Sequence, residues 1–349
     1  MSLHGGNIYD FKRGQECEIL DFSSNINPLG PPPEALAAAR NALSLINRYP
    51  DAKQARIREA FAKWLDVGAE SLVFGNGASE LIPAVYRALG AKRVLVVSPT
   101  FAEYEVCAAR LGIEVVRFKT EPGNNFAFPM DEINSAFSSG DLLISCQPNN
   151  PTGRAWGAGE CAALVDLAAE RGGWLMADEC FINLADPSCP SLLPALSRGR
   201  VVVLRAVTKD FSAPGLRIGF TASPPCIAAR IRDELQPWPL NCVGEEFAIA
   251  CARHNTPFLP LSRAYISAER ERLTEGIARH GYEPFPSAAN FILVRSMERS
   301  GEAIQTALLQ HRILIRRCFN FIALDDFYFR VAVRNKKDND KLLHAVARS

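Results

Sequence analysis

The chain has 349 residues, 48% of them hydrophobic, enough to bury a large core in two lobes or one big α/β unit. Its 39 Lys and Arg nearly balance 38 Asp and Glu, so the net charge is +1 at pH 7, and no overall field draws nucleic acid or an anionic membrane. Small molecules are the expected partners.

Residues 1–30 are rich in Gly, Asn and Pro and read as an extended arm ending in Asn25-Ile26-Asn27-Pro28-Leu29-Gly30. Pro31 to Pro33 lead into a helix with Ala35, Leu36, Ala39, Leu43 and Ile46 on one side. A second helix, from about Ala52 to Leu65, follows the Arg48-Tyr49-Pro50 turn. Then strand-like runs at Ser71-Phe74, Val94-Val97, Leu142-Ser145, Trp174-Ala177, Val201-Leu204 and Ile218-Ala222 alternate with helical stretches near Ser79-Leu89, Ala102-Leu111 and Gly159-Ala169. Such alternation predicts a mainly parallel sheet with helices on both faces.

Beyond Pro237-Trp238-Pro239 the pattern changes to a long charged helix from about Leu261 to Gly281. Phe291-Val294, a helix near Gly301-Gln310, Ile313-Ile315, Phe329-Val333 and a last helix near Asp338-Ala347 follow. A smaller α+β lobe fits this stretch. The expected division is an arm over 1–30, a large domain over 31–240 and a small domain over 241–349, with helix 31–47 able to pack on the small domain.

The ten cysteines are scattered singly, without the paired spacing of zinc or redox sites. Cys146 and Cys180 sit in or just after apolar runs and read as small core residues. Reduced thiols, no apolar stretch of signal-peptide length at the N-terminus and no run long enough to cross a bilayer give an expected cytoplasmic location.

Four polar segments each end or follow an apolar run: Asn150-Pro151-Thr152-Gly153, Asp178-Glu179, Thr208-Lys209 and Gly215-Leu216-Arg217. They should gather at one edge of one sheet, where open α/β sheets bind ligands. A lysine for a Schiff base, an aspartate for a pyridinium nitrogen and donors for a phosphate are what pyridoxal 5′-phosphate (PLP) requires of its protein. Taken singly, a lysine after a strand is usually a solvated surface residue and Asn-Pro-Thr-Gly is ordinary turn chemistry. Together and in this order they point to a cofactor site.

Lys209 must be neutral to condense with an aldehyde, and crowding by Arg217 is one way to lower its pKa. Asp178 can hold a ring nitrogen protonated, and the Asn150 amide can donate to a phenolic oxygen. Gly75-Asn76-Gly77-Ala78-Ser79-Glu80 lies between a strand and a helix, where free backbone amides and the Ser79 hydroxyl can cradle a phosphate or simply cap the helix. Phe101 is placed to stack on a ring face, with Tyr104 as its substitute.

The chain resembles aminotransferase-fold PLP enzymes of the histidinol-phosphate aminotransferase group from about Asp21 to its C-terminus. Within that group it most resembles the L-threonine-O-3-phosphate decarboxylases of cobalamin biosynthesis. The likeness rests chiefly on His4-Gly5-Gly6-Asn7, on Asp21-Phe22-Ser23-Ser24-Asn25-Ile26-Asn27-Pro28-Leu29-Gly30 and on Tyr328-Phe329-Arg330-Val331-Ala332-Val333-Arg334. Asn47-Arg48-Tyr49-Pro50-Asp51-Ala52, Phe101-Ala102-Glu103-Tyr104 and Ile313-Leu314-Ile315-Arg316 add to it.

The resemblance implies that Lys209 is the Schiff-base lysine, Asp178 the pyridinium partner and Asn150 the phenolate donor. Gly77, Ala78, Ser79, Thr208 and Arg217 would bind the cofactor phosphate, with Tyr49 reaching in from the other subunit of a homodimer. Arg330 would take the substrate carboxylate and Asn150 would also meet the substrate; His4, Asn25 and Arg316 would hold its phosphorylated end.

Three positions depart from the family pattern. Ala206 stands where a Ser or Thr would reach the cofactor phosphate, Phe181 stands where aminotransferases carry a tyrosine, and Asp210-Phe211 replaces an expected aromatic pair. Phe181 favours decarboxylation of threonine phosphate over transamination of histidinol phosphate or an aromatic amino acid. A catalytically silent PLP-fold binding protein is a further alternative, against which Lys209, Asp178 and Arg217 count.

Overall fold

The computed structural model describes residues 5–12 and 18–348. Seven strands form the central sheet: β1 (Leu72–Asn76), β2 (Arg93–Ser98), β3 (Glu114–Lys119), β4 (Asp141–Cys146), β5 (Trp174–Asp178), β6 (Val201–Ala206) and β7 (Ile218–Ala222). Their order is β1-β7-β6-β5-β4-β2-β3. β7 runs antiparallel to β1 and β6, and the remaining pairs are parallel. The apolar runs of β2, β4, β5 and β6 are buried on both faces because helices cover both. Leu95 and Val97 enter one core with Phe61, Phe220 and Phe247; Val94 and Val96 enter the other with Tyr86 and Ile144.

The smaller sheet is antiparallel, ordered β10-β11-β9-β8 from β8 (Glu283–Pro284), β9 (Phe291–Arg295), β10 (Arg316–Arg317) and β11 (Tyr328–Ala332). Its core joins Ile292, Val294, Phe329 and Val331 to Leu273, Leu342 and Phe22. The arm reaches this lobe: Leu20–Asp21 pairs in parallel with Ile313–Leu314, which buries Phe22.

Several boundaries differ from those expected. The first helix is α-helical over Pro33–Asn41 and continues as a 3-10 turn over Ala42–Leu45. Only its alanines are buried, and Leu36, Leu43 and Ile46 face outward. It packs on the helix Cys242–Arg253, whose Phe247, Ala248 and Cys251 belong to the core of the large sheet, so that core extends past residue 240. The second helix starts at Ala55 because buried Gln54, at φ +53°, turns away to bond the backbone of Phe74 through both ends of its amide. The long helix spans Asn255–Ala278 with non-helical backbone at Thr256. Among the described residues no helix is long and apolar enough to cross a membrane.

Candidate active site

The parallel strands β4, β5 and β6 end side by side, with Cys146 paired to Asp178 and Asp178 to Leu204. Their carboxyl ends open on a cavity of about 460 Å³, the size of a small-molecule site. Ala78, Ser79, Phe101, Asn150, Asp178, Thr208, Lys209 and Arg217 line it from the large lobe; Asn25, Arg316 and Arg330 line it from the arm and the small lobe. Tyr49 stands outside it, 80% exposed and stacked on Trp238 at 4.6 Å. His4 lies outside the described residues.

At one end, Gly77 adopts φ +83° before the helix Ala78–Leu89. A Cβ at Gly77 would lie 2.4 Å from Arg217 Nη2, so the missing side chain admits the guanidinium against the helix start. Gly219 on β7 does the same for the backbone, since a Cβ there would lie 2.4 Å from Ala78 N. The result is a helix N-terminus with an arginine laid beside it, the chemistry of a phosphate cradle. Ala206 also lines the cavity and adds no hydroxyl to it.

Lys209 sits on the short turn Val207–Asp210 that continues β6. Burial lowers its amine to about pKa 8, with Arg330 the larger of the two cationic neighbours acting on it and Arg217 the smaller. The expected crowding by Arg217 is therefore secondary to desolvation and Arg330. The turn is held from the arm, as Asn27 N–H donates to the Lys209 carbonyl at 3.0 Å and Asn27 Nδ2 to the Asp210 carbonyl at 2.8 Å. Lys209 Nζ lies 6.0 Å from the centre of the Phe181 ring.

Asp178 accepts from Cys180 N–H at 3.0 Å and from Tyr104 Oη at 2.6 Å. Burial pushes its carboxyl up, and these hydrogen bonds oppose that rise. Tyr104 is fully buried and its hydroxyl is committed to Asp178, so it is no substitute for Phe101, whose ring it meets edge-on at 5.6 Å.

Arg330 Nη1 donates to Asn150 Oδ1, and Nη2 to the Ser23 carbonyl at 2.7 Å. Because a guanidinium only donates, Asn150 must turn its oxygen toward Arg330, which leaves Nδ2 to donate elsewhere. Arg316 donates to the Arg317 carbonyl at 2.6 Å and to Asn320 Oδ1 at 2.8 Å, over the Phe321 ring. Arg330 Nε and Asn25 Oδ1 are buried without a hydrogen-bond partner among the described residues. Buried polar atoms of this kind are satisfied by a ligand or water. An aldehyde-reactive amine, a carboxylate, an amide donor and a phosphate cradle around one cavity fit PLP.

Sequence reasoning had not singled out Asn27, Gly219, Asn320 or Phe321, or the bond from Tyr104 to Asp178. The partners of Asn27 and Tyr104 are distant in sequence, and no local pattern marks them. Gly219 interrupts the Ile218-Ala222 strand run, a signal of close backbone approach that was available.

The class I and II aminotransferase family profile matches residues 18–346. The chain is 33% identical to the threonine-phosphate decarboxylase of Salmonella typhimurium, over 99% of this chain and 96% of that protein. A protein of Caldanaerobacter subterraneus subsp. tengcongensis, provisionally named for the same activity, is 35% identical over 98% of this chain and 92% of its own. The solved histidinol-phosphate aminotransferase of Clostridium acetobutylicum superposes with a TM-score of 0.88 at 34% identity, covering 95% of this chain and 98% of that one. The chain thus belongs to the class I and II aminotransferase family of PLP-dependent enzymes.

Proposed function

We propose that the protein decarboxylates L-threonine O-3-phosphate to (R)-1-aminopropan-2-yl phosphate, a step of cobalamin biosynthesis. The observation that carries this reading is the pair Arg316 and Arg330, side by side in one wall of the cavity and separate from the cradle at Gly77 and Arg217. A substrate with two anionic ends uses both arginines, while the cofactor phosphate takes the cradle. Phe181, in place of a phenol, agrees with it.

When bound, PLP supplies an electron sink for the pair released as a bond to Cα breaks. Lys209 would hold it covalently, Asp178 would keep a proton at its ring nitrogen, and Asn150 Nδ2 would donate to its ring oxygen. Gly77, Ala78, Ser79, Thr208 and Arg217 would hold its phosphate, and Phe101 would cover a ring face. Arg330 fixes the substrate carboxylate; Arg316, Asn25 and His4 fix the distal phosphate. Holding both ends decides which Cα bond is presented for cleavage. Lys209 or a water would return a proton to Cα.

Carbon dioxide released from threonine phosphate without any 2-oxoacid is the expected result. Strict dependence on 2-oxoglutarate would defeat it in favour of histidinol-phosphate or aromatic amino-acid transamination, a reading supported by the 34% identity to the Clostridium acetobutylicum aminotransferase. Loss of turnover in Lys209→Ala, with the fold intact, would set aside a silent binding protein.

The enzyme is further proposed to be a cytoplasmic homodimer. Leu36, Leu43, Ile46, Tyr49 and Trp238 form exposed apolar surface around the first helix, and a second copy would bury it and bring Tyr49 to its neighbour's cofactor phosphate. A PLP-loaded monomer in light scattering would contradict this.

A further inference from the structure

The bond from Tyr104 to Asp178 ties two large-lobe elements together beneath the cavity. Tyr104 lies in the first turn of the helix Glu103–Arg110, and its hydroxyl reaches Asp178 Oδ2 at the end of β5. Both residues are buried, Tyr104 completely. The tyrosine is itself fixed, because Tyr86 Oη donates to its carbonyl at 3.1 Å and its ring abuts Phe101. Asp178 thus accepts from Cys180 N–H on Oδ1 and from the phenol on Oδ2, and the Cys180 thiol bonds the same carboxylate. These donors are unlike: both Cys180 groups belong to the Asp178 turn, whereas the phenol comes from a separate helix and can be removed without touching the backbone.

We propose that Tyr104 is a positioning residue acting through Asp178: its phenol locks the carboxylate's orientation and holds it as an anion opposite the cofactor's ring nitrogen. This rests on the reading of Asp178 as the ring-nitrogen partner. Burial alone would favour the neutral acid, which offers the ring nitrogen no charge. Burial and the neighbouring carboxylate push the Tyr104 phenol well above its usual range, so it stays a donor throughout the working pH. A charge-assisted bond of 2.6 Å is short and strong for its type.

Tyr104→Phe removes one oxygen and keeps the ring that fills the core. Expected are a PLP dissociation constant weaker by about tenfold, a kcat lower by about tenfold and an unchanged KM for threonine phosphate, the scale of a hydrogen bond to a charged group. The pH at which the visible band of the Lys209-bound cofactor titrates should move upward, because a weaker anion holds less positive charge at the ring nitrogen. A double-mutant cycle with Asp178→Asn separates this from a structural role: the Tyr104→Phe effect should vanish once Asp178 is neutral.

Wild-type cofactor affinity and band titration in Tyr104→Phe, or an undiminished effect in the Asp178→Asn background, would overturn the proposal. If Asp178→Asn alone binds cofactor and turns over normally, the reading of Asp178 fails instead, and the two failures are told apart. Should Tyr104→Phe not fold, 3-fluorotyrosine at position 104 keeps ring and donor while making the phenol more acidic. It should tighten cofactor binding, and unchanged binding would count against the proposal.

Discussion

Arg316 and Arg330 lie directly opposite each other in the antiparallel register of β10 and β11, both almost fully buried. Like charges facing across a strand pair repel, and desolvation compounds the cost. Burial lowers both guanidinium groups, Arg330 to about pKa 10 with Arg316 contributing. A bound dianion relieves that repulsion. Threonine phosphate should therefore raise the melting temperature of the wild-type protein, and much less that of Arg316→Ala, as read by thermal denaturation.

Arg330→Lys keeps the charge but cannot bond Asn150 and the Ser23 carbonyl while still presenting a donor to a carboxylate. It should lose roughly 100-fold or more in kcat/KM, in line with the poor exchange of Arg for Lys at multidentate sites. Steady-state kinetics at fixed pH check this, and near-normal turnover would remove Arg330 from substrate recognition.

Attachment of the cofactor should follow the ionisation of Lys209. Its amine is lowered to about 8, so the neutral, nucleophilic form grows as pH rises through that value. The rate of PLP incorporation into apoprotein should climb between pH 7 and 9 with a midpoint near 8, followed by the cofactor's visible band. A midpoint above 10 would mean that the lysine is not desolvated.

Gly77→Ala should weaken cofactor binding by about tenfold while leaving the fold intact, because the new methyl occupies the place of the Arg217 guanidinium and costs a charge-assisted phosphate contact. The φ of +83° adds strain. Equilibrium dialysis measures the loss, and Arg217→Ala should remove most of the difference between Gly77 and Ala.

Asp210 is pushed up to about 7 by burial, against Asn183, which donates to Oδ2 at 2.7 Å, and against the charges of Arg205 and Arg263. Its other oxygen is buried without a partner among the described residues. An acid that holds its proton longer when folded makes stability fall as pH rises from its unfolded value of about 4 to about 7, here by up to a few kcal/mol, roughly. Denaturant unfolding of the apoprotein should show this slope, and Asp210→Asn should flatten it.

That Lys209, Asp178 and Asn150 gather at one sheet edge was legible in the chain alone because each ends or shortly follows an apolar run, and a run of that kind fixes where its strand ends in a sheet. The strand Glu114–Lys119 escaped notice because Glu114, Arg117 and Lys119 interrupt it, as suits the sheet's outer edge. The reversed direction of Ile218–Ala222 leaves no trace in composition, since a buried strand looks alike either way. Tyr104 was legible as an aromatic near the site but not as a donor to Asp178, because sequence gives the side chain and not its aim. Ala35, Leu36, Ala39, Leu43 and Ile46 were expected on one side of the first helix, yet only Ala35 and Ala39 are buried, because the alanines face the core while Leu36, Leu43 and Ile46 point outward.

The grip of Arg330 on Ser23 and Asn150 joins three stretches of chain that lie far apart in sequence. The wall of the cavity that Arg330 builds is therefore complete only once the stretch carrying Arg330 has been synthesised. A polypeptide cut short before Arg330 carries Lys209 and the Gly77 cradle without that wall.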